Sequence, residues 1–287
     1  MQFKYLPTRI MIRFRKIFLL VAVIFAVSCS DTSVIYNPIK VDDSVDAPPI
    51  TGLFKKRVLL EDYTGTWCGN CARVSYAIGK VFEQTDKAVA IAIHNGNDPY
   101  HFAGIQPLKD LISPNNELEL PQSRLNRTTV WTFPEPTNIQ QAINLTSNNC
   151  GLGLAMKSTI ADGAISLDVE VKLAQNFSNL KLVVYVLENH LIYPQRNYTT
   201  YFGGVNPIPN FEHNHVLRAP LTTLLGDALI GTTFGKTINT HFSVAVPANV
   251  TNAANVSFVA FVVDATNAVV NARASEQNDV QSFEENP

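Results

Sequence analysis

The sequence predicts an α/β domain followed by an all-β antiparallel sandwich domain, and two observations carry this prediction. Within residues 55–149, an apolar run at 58–64 precedes a turn, a helical pattern and a second apolar run at 88–93, which is the order of a strand–helix–strand unit. Within residues 150–287, apolar and polar residues alternate with period two in runs separated by turn signals. The chain has 287 residues and is 46% hydrophobic, so both cores can be filled.

Residues 1–28 are predicted to be an export signal. Three basic residues precede an apolar stretch from Ile17 to Val27, which has the length of a signal-peptide core and is short for a membrane-spanning helix. The sequence Ala26-Val27-Ser28-Cys29 resembles the lipid-attachment motif of bacterial lipoproteins. Cys29 is therefore the candidate lipidated residue, and a lipid anchor would hold the protein on a membrane. The alternative is an ordinary secretory signal with an incidental cysteine.

Charge separates this signal from the rest of the chain. Residues 1–28 hold five of the 22 basic residues and no acidic residue, which leaves 17 basic against 24 acidic residues, a formal charge of about −7. A basic surface for nucleic acid is not indicated. Residues 29–54 include an acidic, proline-bearing stretch and are predicted to be a flexible tether.

The motif Trp67-Cys68-Gly69-Asn70-Cys71 lies between the first predicted strand and the helix that follows it. A sulfur at a helix N-terminus has its thiolate stabilised by unpaired N–H groups and by the helix dipole. Cys68 is therefore the candidate nucleophile, and Cys71 is the partner that re-forms the disulfide. Two alternatives remain: a zinc site, which needs two further ligands, and a structural disulfide, which stabilises little when it closes so short a loop.

This motif resembles the thioredoxin superfamily, whose usual loop is Trp-Cys-Gly-Pro-Cys. The resemblance implies that residues 55–149 form a thioredoxin-like domain without a cofactor. It also implies that Asp62, six residues before Cys68, is a buried acid that takes a proton from the second cysteine. Asn70 stands where that loop carries proline, so the redox potential of the family is not transferred to this chain.

The longer stretch from Leu60 to Cys71 is similar to the Omp28-related lipoproteins of Bacteroidetes-type bacteria. Thioredoxin-like domains carry a cis proline beside the cysteines, and Pro121, before a short strand ending in Asn126-Arg127, is the candidate. Pro134 is the alternative. The resemblance implies a lipoprotein anchored in the outer membrane of the cell envelope, on its periplasmic or its surface face.

Regular alternation supports the predicted sandwich. Ile165 to Leu173 alternates strictly between apolar and polar residues, and Ala161-Asp162-Gly163 supplies a hairpin turn before it. Further strands are predicted at 180–187, 236–246, 256–263 and 268–274. Cys150 has no cysteine near it in sequence and is predicted to be a buried thiol.

The stretch Phe211 to Arg218 also resembles the Omp28-like pattern, and it contains two histidines. His213 and His215 are weak candidates for metal ligands, since two alternating histidines supply only half of a typical site. The preferred interpretation is structural: His213, Asn214 and Arg218 tie the long connection of residues 193–220 to the sandwich.

Two functions are consistent with these patterns. The first is thiol–disulfide exchange with protein thiols and disulfides of the envelope, carried out by Cys68 and Cys71 with Asp62 and Pro121 beside them. The alternative is a non-enzymatic, adhesin-like binding protein of the outer membrane or cell surface, in which the Cys68–Cys71 disulfide stays oxidised. Rapid alkylation of reduced Cys68 near neutral pH distinguishes the first from the second.

Overall fold

The computed structural model describes residues 35–36, 40–41, 52–113, 115 and 118–286. The predicted signal peptide, residues 1–28, and Cys29 lie outside the described residues. The α-helices are α1 (Ala72–Phe82), α2 (Gln106–Ile112) and α3 (Ile139–Ile143), and short 3₁₀ helices occupy Glu135–Thr137, Tyr201–Gly204 and Ala253–Asn255. Among the described helices, none has the length and apolar character needed to cross a bilayer.

Strands make up most of the remaining regular structure. In chain order they are β1 (Ile35–Tyr36), β2 (Lys40–Val41), β3 (Leu53–Lys56), β4 (Val58–Thr64), β5 (Ala88–His94), β6 (Gln122–Leu125), β7 (Thr129–Val130), β8 (Ser147–Cys150), β9 (Leu152–Ala161), β10 (Ala164–Leu173), β11 (Lys181–Glu188), β12 (Leu191–Ile192), β13 (Glu212–His213), β14 (Val216–Pro220), β15 (Asp227–Ala228), β16 (Thr237–Ala245), β17 (Val256–Val263), β18 (Val269–Glu276) and β19 (Glu285–Asn286).

Two large sheets organise these strands. A nine-stranded sheet runs in the order β18-β17-β11-β14-β5-β4-β6-β7, with β15 paired to β11, and a five-stranded sheet runs β1-β16-β10-β9, with β2 paired to β16. Strands β1 and β2 belong to the segment predicted as a tether, and both pair with β16. Small sheets of order β12-β13 and β19-β3-β8 complete the described strands.

The predicted fold class, an α/β thioredoxin-like domain followed by a separate all-β sandwich, is wrong. Strands from residues 55–149 and from residues 150–287 form one mixed, nine-stranded sheet, so the described residues contain no self-contained α/β unit. The two parts join where β14 lies parallel to β5, with Val216 opposite Ala92 and the Ala92 N–H donating to the His215 carbonyl at 2.8 Å. Pairing between strands so far apart in sequence leaves no periodic pattern, because periodicity reports only which face of a strand is buried.

The two faces of the nine-stranded sheet are covered differently. One face carries a continuous apolar core formed by residues of β4, β5, β11, β17 and the helix α2. The other face is divided: the five-stranded sheet packs over β11 and β17, whereas α1 and α3 pack over β4 and β5. The chain therefore places α1, and the turn that leads into it, on one end of a larger β framework.

A buried ion pair connects the strands across this sheet. Arg127 Nη2 donates to Glu61 Oε1 at 3.1 Å and to the Tyr185 hydroxyl at 3.0 Å. The same guanidinium lies 4.7 Å from the centre of the Phe261 ring. The side chains of Glu61 and Arg127 are fully buried. Each one therefore compensates the charge of the other, which would otherwise be costly to bury. Arg127 thus ties β4 to β11 and β17.

Candidate functional site

The turn between β4 and α1 carries a disulfide between Cys68 and Cys71, whose Cα atoms are 5.4 Å apart. Cys71 immediately precedes α1 and is fully buried, whereas Cys68 keeps 5% of its surface exposed. The Cys68 N–H donates to the Gly65 carbonyl and the Cys71 N–H donates to the Cys68 carbonyl, so two consecutive turns lead into the helix. Of the two cysteines, only Cys68 retains any accessible surface.

The helix behind this turn is amphipathic. Val74, Ala77, Ile78 and Val81 recur at helical spacing and pack with Leu60 and Ala90 of the underlying strands. This apolar stripe fixes α1 against β4 and β5 and therefore fixes the position of Cys71.

The segment before Cys68 is held by the side chain of Asp98. Its Oδ2 accepts the Thr66 N–H at 2.6 Å and lies 3.0 Å from His94 Nδ1, and its Oδ1 accepts the Tyr100 N–H at 2.7 Å. Burial raises the pKa of Asp98, but the hydrogen bonds and the His94 ring outweigh it and hold that pKa below its ordinary value. An ionised Asp98 therefore joins the end of β5 to the turn that carries the cysteines.

Asp62 lies on the face of β4 that is covered by α1. Side chains alternate along a strand, and Leu60 packs in the core beneath α1 whereas Leu59 and Tyr63 pack on the opposite face. The Asp62 side chain is buried, and its Oδ1 has no hydrogen-bond partner. Burial, followed by the nearby carboxylate of Glu135, raises the pKa of Asp62 well above its ordinary value. A raised pKa favours the protonated carboxyl, so Asp62 accepts a proton more readily than an ordinary aspartate does.

An ion pair that was not predicted from the sequence lies next to Asp62. Arg73 Nε lies 2.7 Å from Glu135 Oε2, and the Ser123 hydroxyl donates to Glu135 Oε1 at 3.0 Å. The Arg73 guanidinium lowers the pKa of Asp62, so it opposes the effect of Glu135. No pattern in the sequence connects residues 73 and 135, because they meet only when α1 packs beside the 3₁₀ helix.

Pro121 directly precedes β6, and the Leu120–Pro121 peptide is cis, as are the Phe133–Pro134 and Asn206–Pro207 peptides. Strand β6 is antiparallel to β4, with Gln122 opposite Tyr63. Pro121 therefore lies at the end of β6 that adjoins the carboxyl end of β4, from which the chain continues to Cys68. The fold brings the four predicted site residues to one end of β4 and α1.

Residues 195–198 lie across the cysteine turn and are called the strap below. The Arg196 N–H donates to the Thr66 carbonyl at 2.9 Å, and the Tyr198 N–H donates to the Gly69 carbonyl at 2.7 Å. The Gln195 side-chain Nε2 donates to the Cys68 carbonyl at 3.0 Å. A Cβ atom at Gly69 would lie 2.2 Å from Cδ2 of Tyr198, so this ring rests directly on the glycine. The backbone of the turn is thereby paired, although 62% of Tyr198 remains exposed.

A cavity of about 440 Å³ lies beside α1 and is called the α1 cavity below. Its floor is the α1 face of β4 and β5, one wall is α1, and the opposite wall is formed by residues between 202 and 215. Asp62 belongs to its lining, as do His94, His213 and His215. This cavity was not predicted from the sequence.

The two predicted metal candidates take part in this lining as uncharged rings. Burial, with the neighbouring His94, lowers the pKa of His213 to about 4, and its Nε2 donates to the Tyr193 carbonyl at 3.2 Å. Burial, with His190, lowers the pKa of His215 to about 4. In the part of the chain that the structure describes, no three ligating side chains are grouped as a metal site.

Cys150 is separate from the disulfide. It is a free, buried cysteine whose Sγ lies 3.6 Å from the Val270 carbonyl, and burial raises the pKa of its thiol. A thiol of this kind reacts slowly.

Comparisons with known proteins identify the family. The family model described as outer membrane protein Omp28 matches residues 115–281, more than half of the chain. HBP35 of Porphyromonas gingivalis has the same fold with a TM-score of 0.60 at 20% identity, over 82% of this chain and 81% of that one. A domain of the outer membrane lipoprotein Omp28 from the same organism aligns with a TM-score of 0.32 at 19% identity, over 46% of this chain and 92% of that one. No curated protein matches. The chain belongs to the Omp28 family of outer membrane proteins and is therefore a protein of the cell envelope.

Proposed function

We propose that this protein carries out thiol–disulfide exchange with other proteins of the envelope through Cys68 and Cys71. One observation carries the proposal: the disulfide directly precedes α1, and beneath α1 the strand β4 holds the buried carboxyl of Asp62, whose Oδ1 has no partner. A helix start favours a thiolate on the cysteine, and a carboxyl with a raised pKa can take up the proton of the other cysteine.

In the reducing direction, the Cys68 thiolate attacks one sulfur of a substrate disulfide and forms a mixed disulfide. The other substrate sulfur leaves as a thiolate and takes a proton from water. Cys71 transfers its proton to Asp62 and attacks the Cys68 sulfur, which re-forms the Cys68–Cys71 disulfide and releases the second substrate thiolate. Two electrons pass from the cysteine pair to the substrate, and the reverse sequence oxidises a substrate dithiol.

Reduction of insulin disulfides in the presence of dithiothreitol tests this proposal. The wild type should accelerate the reaction, Cys68→Ser should abolish the acceleration, and Cys150→Ser, which removes a thiol outside the pair, should leave it unchanged. Asp62→Asn should slow exchange at neutral pH by about tenfold or more, and the difference should shrink at high pH, where Cys71 loses its proton to solvent. Equal rates for wild type and Cys68→Ser would refute the exchange activity.

A second candidate function is favoured by the strap. The strap pairs with the turn and Cys68 is only 5% exposed, which suits a binding lipoprotein whose disulfide stays oxidised. Under this alternative, dithiothreitol reduces the pair slowly in the folded protein and no substrate is captured. A Cys71→Ser variant separates the two candidates, because an exchange enzyme retains partner proteins as mixed disulfides on Cys68 and a scaffold does not.

We also propose that Cys29 carries the lipid that anchors the protein to a membrane, because small residues precede it after an apolar stretch. A single substitution, Cys29→Ala, should move the protein from the membrane fraction to the soluble fraction of the envelope. Cys150→Ser is the matched control and should leave the protein membrane-bound.

A further inference from the structure

The α1 cavity exists because β5 is built asymmetrically. Its face toward α1 carries Ala88, Ala90 and Ala92, whereas its other face carries valine and isoleucine side chains that fill the core next to α2. Ala92 lies directly opposite Asp62 in the parallel pairing of β4 and β5. The floor of the cavity therefore lacks the large side chains that would close the space below α1.

Aromatic contacts join the opposite wall to α1. The Phe202 ring meets Phe211 edge-on with their centres 5.3 Å apart, and it meets Tyr76 of α1 in the same way at 5.6 Å. Because these rings pack against one another, the wall is supported without filling the cavity. A Cβ atom added at Gly79, at the rim on α1, would meet no other atom within 4 Å.

The polar groups of the cavity define the charge that it can accept. The carboxyl groups of Asp62 and Glu212 belong to the lining, and among the described residues that line the cavity there is no Lys or Arg side chain, so an anionic group would find no counter-charge. His213 and His215 are neutral at neutral pH because burial lowers the pKa of each to about 4. Asp62 Oδ1 is buried without a partner, although buried polar atoms are nearly always hydrogen-bonded.

We propose that the α1 cavity binds a mainly apolar small molecule that contains a ring and carries no anionic group. The volume of about 440 Å³ lies within the usual range of small-molecule sites, which are mostly apolar with a few convergent polar groups. Alanine methyls and phenylalanine rings supply the apolar surface, and the neutral rings of His213 and His215 are among the few polar groups of the lining. The cavity shares Asp62 with the proposed exchange chemistry, but binding of the small molecule transfers no electrons and does not require that activity.

The test uses the full oxidised protein and N-phenyl-1-naphthylamine, an uncharged probe with a naphthyl group, a phenyl ring and one N–H donor, which fluoresces when it leaves water. We expect saturable binding to one site in the wild type. Ala92→Leu places a larger side chain on the floor next to Asp62 and should weaken binding by about tenfold or more. Ala103→Leu, the same substitution at an exposed position, is the matched control and should bind as the wild type does.

Two further measurements make the result decisive. Ser75→Leu fills the cavity from the α1 side and should weaken binding as much as Ala92→Leu does. If thermal unfolding shows that the Ala92→Leu protein is misfolded, Ser75→Leu replaces it in the test. The anionic analogue 1-anilinonaphthalene-8-sulfonate should bind at least about tenfold more weakly than the uncharged probe. Absence of saturable binding by the wild type, equal binding by the filled variants, or equal binding of the anionic analogue would each overturn the proposal. Because no thiol reacts in this assay, its failure leaves the exchange activity untouched.

Discussion

Strands β4 and β5 have two faces with opposite properties. On the face toward α2, Tyr63, Ile91 and Ile93 are fully buried in the large core. On the face toward α1, Ala90, Ala92 and the carboxyl of Asp62 border a cavity. Neighbouring residues of the same strands point to opposite faces, so the difference comes from which side chains occupy the alternate positions.

The difference shows how one pair of strands serves two purposes. The filled face contributes stability, because large apolar side chains are removed from water and closely packed. The open face packs against α1 through Leu60 and Ala90, leaves a cavity beside Ala92, and holds a buried acid beneath the helix that follows the disulfide. Substitutions that exchange the properties of the two faces are therefore informative.

The largest expected effect lies in the buried ion pair on the filled face. Arg127→Leu leaves Glu61 as a buried carboxylate without its partner, and we expect it to lower the free energy of unfolding by about 3–5 kcal/mol. Urea denaturation measures this loss. The double variant Glu61→Leu with Arg127→Leu should recover much of it, and a double variant as unstable as the single one would show that packing, and not charge, is responsible.

The next effect compares neighbouring positions on the two faces. Ile91→Ala should lower the free energy of unfolding by about 2–5 kcal/mol, because it opens a hole in the filled core. Ala92→Leu adds volume beside a cavity and should change that free energy by less than about 1.5 kcal/mol. Denaturation of both variants at one pH gives the comparison, and equal losses would mean that the α1 face is as tightly packed as the other.

The pH dependence of stability should reveal the neutral His213, which lines the α1 cavity. Burial lowers the pKa of this ring from its ordinary value of 6.5 to about 4 in the folded protein. Between these two pH values the ring is protonated in the unfolded chain and neutral in the folded chain. The stability it contributes is complete above pH 6.5 and is lost as the pH falls to 4, by about 3 kcal/mol at most. Melting temperatures between about pH 7 and 4 should therefore fall less steeply in His213→Gln than in the wild type. Parallel slopes would contradict this assignment.

The smallest expected change in stability is at the strap. Tyr198 is 62% exposed, so Tyr198→Ala should alter the free energy of unfolding by only about 0.5–1 kcal/mol. It should nevertheless speed reduction of the Cys68–Cys71 disulfide by dithiothreitol, because the ring no longer rests on Gly69. Phe234→Ala, at another aromatic residue that is 62% exposed, should leave the rate of reduction unchanged. Equal rates for the two variants would show that the strap does not shield Cys68.

Local structure was predictable at several positions. The predicted strand, turn and helix around Cys68 form as β4 and α1, and the predicted hairpin at Ala161-Asp162-Gly163 joins β9 to β10. In β5, alanine alternates with the larger valine and isoleucine, so one face of the strand carries only small apolar side chains. This alternation is visible in the sequence and is the signal that indicates an unfilled face.

The sequence by itself determined the closeness of Cys68 and Cys71, the amphipathic stripe of α1 and the period-two strands, because each depends on residues a few positions apart. Only the tertiary structure decided that β14 joins β5, that the strap lies on Gly69 and that Arg73 meets Glu135. Those contacts join residues that are tens to more than a hundred positions apart. They depend on how whole surfaces fit together, and no local pattern of side chains records that fit.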